Sequence, residues 1–305
     1  MAEGDSPTIA RRRVRIAIRE AREAIPLTQA QVAEEMEWSL SKVIRIESGD
    51  VSISIADLRG VLGLLGIRDK DRVNALLADA RIARTRSRVK AAWWREPNFR
   101  EHLTEDLRRY IEYEVEASEI RYFSIFYVPG PLQTREYSNA LTGMFSEDGE
   151  MSDSKIDVLV EARQHRLDAM LQRVGSVKVF CLLDESVFWR EIGGRAVLIA
   201  QLRQLLDLSA RGLTFVRMLP YNLSMPIANN GSFDLIMLGS DRSDSELLYR
   251  ENGMKDEMVE VRVETARHRK RFDQLWQRAD DENDTIEFIK ARITALEAEL
   301  PGRQG

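Results

Sequence analysis

Residues 28–50, TQAQVAEEMEWSLSKVIRIESGD, have the pattern of two short helices separated by a tight turn. Thr28 is the predicted N-cap of the first helix, which continues through Met36. Ser39 is the predicted N-cap of the second helix, and Gly49 supplies the left-handed residue that ends it. This stretch therefore predicts a helix-turn-helix unit around which the N-terminal part of the chain folds.

The second of these helices has the dimensions and the surface of a DNA-binding element. Two helices that cross at a steep angle need a small residue where they touch, and Ala33 meets that need. The positions expected to face inward are Val43, Ile44 and Ile46. The positions expected to face outward are Leu40, Ser41, Lys42 and Arg45. A helix fits the major groove, and its N-terminus favours phosphate, so double-stranded DNA is the predicted partner.

The stretches LTQAQVAEEM and SLSKVIRIESG resemble the helix-turn-helix of the xenobiotic-response-element family of bacterial and phage repressors. The resemblance implies that Gln29 contacts the DNA backbone or a base edge and that Lys42 contacts a phosphate. It implies a DNA-contacting surface that also includes Ser39, Leu40, Ser41 and Arg45. Glu37 departs from the family, which usually has glycine in the turn, so the turn conformation is more costly and a carboxylate lies near the DNA.

Some of these residues also have simpler interpretations. Arg45 could be an ordinary solvated residue, although its place in the motif favours a base or phosphate contact. Leu40 could touch a thymine methyl group or pack against Trp38. The basic face of the first helix is expected to be mainly solvated, with some phosphate contact as the alternative.

The remaining helices of the N-terminal part follow from periodicity and caps. Ser6 and Pro7 begin a helix whose apolar face is Val14, Ala17, Ile18, Ala21 and Ile25. Its remaining positions hold Arg11, Arg12, Arg13, Arg15, Arg19 and Arg22. Ser54 begins a fourth helix, and Asp69 begins a fifth that ends near Arg84. Residues 1–85 are thus an expected five-helix domain, followed by a basic linker at 86–92.

Composition predicts a protein of two domains that stays in the cytoplasm. The chain has 305 residues and 44% apolar residues. It contains no eighteen-residue apolar run, so no membrane association is expected. Residues 1–90 hold 17 Lys/Arg and 13 Asp/Glu, net +4, which leaves net −9 for residues 91–305. The basic part is the one that contains the helix-turn-helix, in keeping with a phosphate partner.

Residues 93–305 predict an α+β domain with one mixed sheet flanked by helices. The stretch EIRYFSIFYVPGPLQT predicts a strand followed by a loop, and four further strands are predicted at VKVFCLLDES, LTFVRMLPYN, GSFDLIMLGS and SELLYREN. The predicted helices span 98–118, 154–172, 195–210 and 256–279. Several segments of this part of the chain resemble the uncharacterised C-terminal domain (DUF5753) of many actinobacterial regulators. These segments are WW, VPGPLQT, EARQHRLDAML, VFCLLDESVFWREIGG and RHRKRFDQLWQRA. That resemblance implies that the C-terminal domain serves in sensing, oligomerisation or partner binding.

The sequence offers little support for an enzyme, a metal site or a cofactor. His102, His165 and His268 are isolated, and Cys181 lies in an apolar run that favours burial. Asp184-Glu185 is the best acid/base candidate, but capping of the next helix is the preferred interpretation. A possible ligand or partner surface comprises Gln133, Trp189, Tyr221 and Asn222.

The last helix carries an apolar seam, Ile286, Ile289, Ile293, Leu296 and Leu300, which is expected to dock on its own domain or to complete a dimer interface. The sequence thus predicts a homodimeric, sequence-specific DNA-binding transcriptional regulator. The main alternative is an antitoxin-like adaptor whose C-terminal domain holds a small protein partner. The third is a sensor gated by a small-molecule effector.

Overall fold

The computed structural model describes residues 6–85, 92–147, 151–223, 231–239, 246–251 and 256–299. The chain divides into two compact units, residues 1–91 and 92–305. All but the last residue of the predicted basic linker 86–92 lies outside the described residues. Among the residues described, no helix combines the length and the apolar character needed to cross a membrane.

The N-terminal unit contains the five predicted helices, each beginning at a side-chain cap. They are α1 (Pro7–Ala24), α2 (Gln29–Glu35), α3 (Leu40–Ser48), α4 (Ile55–Leu64) and α5 (Lys70–Ala83). The cap side chains belong to Ser6, Thr28, Ser39, Ser54 and Asp69, and each accepts a backbone N–H from the first turn of its helix. These caps satisfy donors that a helix start otherwise leaves open, which is why they locate the helices.

One apolar core joins the five helices. Its buried residues include Ile18, Val32, Val43, Ile46, Leu58, Leu62 and Leu77. Two expectations for α1 are wrong. Ile25 is 41% exposed, because α1 ends at Ala24 and Ile25 no longer follows its apolar face. Arg12 and Arg15 are buried, so the basic face of α1 is not simply solvated.

The C-terminal unit has a six-stranded mixed sheet flanked by helices, so the predicted α+β class is confirmed. Its strands are β1 (Ala117–Ser124), β2 (Lys178–Asp184), β3 (Thr214–Leu219), β4 (Phe233–Leu238), β5 (Glu246–Glu251) and β6 (Asp256–Val259). The order is β3-β2-β1-β4-β5-β6. β1, β2 and β3 run parallel, while β4, β5 and β6 continue the sheet antiparallel from β1.

Seven α-helices of this unit are described: α6 (Pro97–His102), α7 (Glu105–Glu114), α8 (Arg135–Glu147), α9 (Asp153–Leu171), α10 (Arg195–Ala210), α11 (Arg262–Trp276) and α12 (Glu282–Ala298). The prediction of one helix over 98–118 is wrong, because Thr104 caps a new helix and accepts the N–H of Leu107 at 3.1 Å. The helix predicted over 256–279 begins only at Arg262. The first residues of the predicted range, Asp256–Val259, form strand β6 instead, because they pair with β5. Such pairing depends on tertiary contact and not on local sequence. α8 was not predicted.

The last described helix, α12, packs on its own domain, one of the two expected possibilities. α12 buries Thr285, Ile289, Ile293 and Leu296, and the Thr285 hydroxyl accepts the backbone N–H of Met218 on edge strand β3 at 3.1 Å. Ile286 is only half-buried, and Leu300 lies outside the described residues. Cys181 on β2 is fully buried as predicted, and burial raises the pKa of its thiol.

Candidate nucleic-acid interface

The turn between α2 and α3 has the tight geometry that the sequence predicts. Ala33 is buried, and its carbonyl accepts the backbone N–H of Trp38 at 2.8 Å. Glu37 has φ +53°, and it is the only non-glycine residue with positive φ in the part of the chain described. An L-residue adopts this conformation at a cost, which confirms the expectation drawn from the missing glycine.

The two faces of α3 differ sharply. Val43, Ile46 and Glu47 point into the unit and are nearly inaccessible. The outward face carries four exposed side chains, Leu40, Ser41, Ile44 and Arg45. The expectation that Ile44 faces inward is wrong. With 100° per residue, positions 43, 46 and 47 define the inner face, so position 44 falls outside it beside Leu40.

A buried ion pair ties α3 to the two helices before it. Glu47 accepts hydrogen bonds from Arg22 Nε at 2.7 Å and from Arg22 Nη2 at 2.9 Å. Gln29 Nε2 donates to the same carboxylate at 2.9 Å. Hydrogen bonding to Glu47 raises the pKa of Arg22. This pair is not among the sequence-based expectations, although a glutamate on an otherwise apolar helix face is a signal for one.

The hydrogen bond to Glu47 gives Gln29 a structural role beside the DNA contact that the sequence predicts. Its side-chain amide is engaged inside the unit, so Gln29 fixes the position of α3 while only part of it remains accessible. Ser39 is exposed, but its hydroxyl accepts the backbone N–H of Lys42 at 3.2 Å as the cap of α3. Both residues therefore hold the outward face of α3 in place.

Lys42 lies at the edge of this face and has intramolecular partners. Its Nζ is 3.1 Å from Asp57 Oδ2 on α4 and 4.0 Å from the centroid of the Trp38 ring. Both members of the ion pair are about one-third exposed. The ammonium is thus accessible to a phosphate, but a carboxylate already competes for it.

Gly49 ends α3 at a position that favours glycine. Its φ is +88°, and a Cβ built at this position would lie 2.9 Å from Cδ of Arg15. A larger residue would be strained in the left-handed conformation, and the buried Arg15 side chain would have to shift. The predicted end of α3 is thus explained by backbone geometry and packing together.

In the C-terminal unit, the predicted ligand or partner surface is divided. Trp189 Nε1 and the backbone N–H of Tyr221 donate to the two carboxylate oxygens of Glu185, at 3.1 and 2.8 Å. Trp189 is 44% exposed and Tyr221 62%, and Asn222 is exposed beside them. Contrary to the prediction, Gln133 does not lie on an exposed surface. Its side chain is only 3% exposed, and its Nε2 donates to the Val128 carbonyl at 2.7 Å.

The acid/base candidate of this unit has a structural role. Asp184 accepts the N–H of Ser186 at 2.9 Å and caps a short 3-10 helix, as the sequence favours. Within the described residues, no group of three or more His, Cys, Asp or Glu side chains could hold a metal ion.

Comparison with known families fits this geometry. Residues 14–76 match a helix-turn-helix domain. This match supports assignment to the DNA-binding regulators, the class that the α2–α3 geometry also indicates. Residues 107–291, more than half of the chain, match the domain of unknown function DUF5753. The chain belongs to the DUF5753 family. No curated protein and no solved structure matches it.

Proposed function

We propose that the chain is a transcriptional regulator that binds operator DNA by inserting α3 into the major groove. The observation that carries this proposal is the outward face of α3, where Leu40, Ser41, Ile44 and Arg45 are exposed while Glu47 anchors the helix from behind. Arg45 donates to a base edge, Ser41 lies beside it, and Lys42 contacts a phosphate.

The proposed regulator acts as a homodimer, and its C-terminal domain provides sensing, oligomerisation or partner binding. One α3 contacts too few base pairs to select a site in a genome, so two half-sites about one helical turn apart, or a multiple of it, are expected. Trp189 and Tyr221, exposed around Glu185, favour a binding role for the C-terminal domain. Sedimentation of the full chain with an operator duplex tests the stoichiometry, and one chain per operator would contradict the dimer.

Salt-titrated binding to operator and scrambled duplexes tests the roles of Arg45 and Lys42. Arg45→Ala should weaken operator binding roughly tenfold or more and scrambled binding far less, because base contacts carry the specificity. Lys42→Ala should weaken both and reduce the salt slope by about one. Equal losses on both duplexes for Arg45→Ala would remove Arg45 from the base-contacting set.

A further inference from the structure

The outward face of α3 contains two aliphatic side chains that the core does not use. Leu40 is 46% exposed and Ile44 is 43% exposed. They are four residues apart, so they lie next to each other on successive turns of the helix. The packing side of α3 is already occupied by Val43 and Ile46, which leaves Leu40 and Ile44 free to contact a partner.

The surroundings of this pair indicate the chemistry of the partner. Ser41 and Arg45 are exposed beside Leu40 and Ile44, so the helix presents an adjacent apolar pair bordered by a hydroxyl and a guanidinium. The major groove offers the same combination. Its base edges present hydrogen-bonding groups, and the C5-methyl of thymine is the apolar group among them.

We propose that Leu40 and Ile44 are specificity-determining residues that contact the C5-methyl groups of two thymines in each operator half-site. This inference rests on the proposed function and adds to it the bases that α3 selects. Four residues rise about 6 Å along a helix, and successive bases rise about 3.4 Å along a strand. With α3 running along one strand of the groove, the two thymines are about two base-pair steps apart. Burial of one methyl group corresponds to a preference of about fourfold for thymine over uracil.

The test uses the purified full chain and an operator obtained by repeated selection from random duplexes. Each thymine of a half-site is then replaced in turn by deoxyuridine, which removes the C5-methyl and leaves every hydrogen-bonding group of the base. Wild-type binding should weaken about fourfold at two positions and remain unchanged at the others. In Ile44→Ala one of the two losses should disappear, and in Leu40→Ala the other should disappear.

Two further variants separate a methyl contact from a general defect. Ile44→Val keeps a branched side chain and should retain most of the discrimination. Ile25→Ala removes an aliphatic side chain of similar exposure, 41%, at the C-terminal end of α1, and should leave both losses unchanged. Alanine is compatible with an exposed helix position, so Ile44→Ala should fold, as circular dichroism can verify.

The outcomes distinguish this inference from the proposed function. Sequence-selective binding that is insensitive to every thymine replacement, or equally sensitive in Ile44→Ala, overturns the inference alone. A change of sedimentation in Ile44→Ala with unchanged thymine discrimination also overturns it, because the pair would then serve contact between chains. Failure to enrich or bind any duplex at low salt overturns both.

Discussion

Each of the two units contains a buried glutamate that is paired with an arginine, but the two pairs have different structural roles. In the N-terminal unit Glu47 accepts two hydrogen bonds from Arg22 and one from Gln29. In the C-terminal unit Glu114 accepts two from Arg166, both at 2.7 Å, and one from the Tyr122 hydroxyl at 2.9 Å. Each glutamate is almost inaccessible.

The surroundings of the two glutamates differ. Arg22 also donates to the Leu27 carbonyl just before α2, so the pair at Glu47 links α1, α2 and α3 behind an exposed surface. The guanidinium of Arg166 lies 5.1 Å from the Tyr110 ring, and the Tyr110 hydroxyl donates to Asp234 on β4. Burial raises the pKa of Asp234 to about 7. One pair thus positions a surface helix, and the other connects α7, α9 and the sheet inside a core.

The largest expected effect is on the C-terminal pair. Glu114→Ala should lower the free energy of unfolding of residues 92–305 by about 3–5 kcal/mol, because it leaves the Arg166 guanidinium buried without a counter-ion. Denaturant titration followed by tryptophan fluorescence measures the loss. The double variant Glu114→Leu/Arg166→Leu should recover most of it, since apolar groups replace both charges. A loss below about 1 kcal/mol would show that the pair is more hydrated than its geometry indicates.

The N-terminal pair should show a smaller stability effect and an additional effect on binding. Glu47→Ala should destabilise residues 6–85 by about 2–3 kcal/mol, since it removes the buried carboxylate that Arg22 and Gln29 share. Operator binding should weaken under conditions in which the unit is still folded, because α3 loses its anchor. Glu23→Ala removes the exposed partner of the same arginine, at 3.2 Å, and should cost no more than about 1 kcal/mol. If both variants bind the operator equally well, the anchoring role is wrong.

The difference between these pairs also explains what the sequence could predict. A helix cap and a helix-ending glycine in the left-handed conformation interact only with residues three or four positions away in the sequence. For this reason the local sequence predicts Ser39 and Gly49 correctly. The partner of Glu47 is 25 residues away, and that of Glu114 is 52 residues away, so neither pair follows from local pattern. Gln133 was expected on a surface and is internal, because its loop folds back to place Val128 beside it. In contrast, the outward orientation of the Ile44 side chain follows from the angular spacing of residues along a helix, so it could be predicted from the sequence.

The smallest effect is expected at the exposed ion pair of α3, where Lys42 and Asp57 are 3.1 Å apart. Asp57→Asn should change stability by less than about 1 kcal/mol, because exposed pairs contribute little. It removes a negative charge beside the proposed phosphate contact and releases Lys42, so affinity for operator and scrambled duplexes should rise a few-fold. The salt slope should become steeper by up to about one. In the Lys42→Ala background the same Asp57→Asn change should give a smaller gain, because it removes the carboxylate but has no ammonium to release. An equal gain in both backgrounds would come from the lost carboxylate alone and would show that the release of Lys42 contributes nothing to binding.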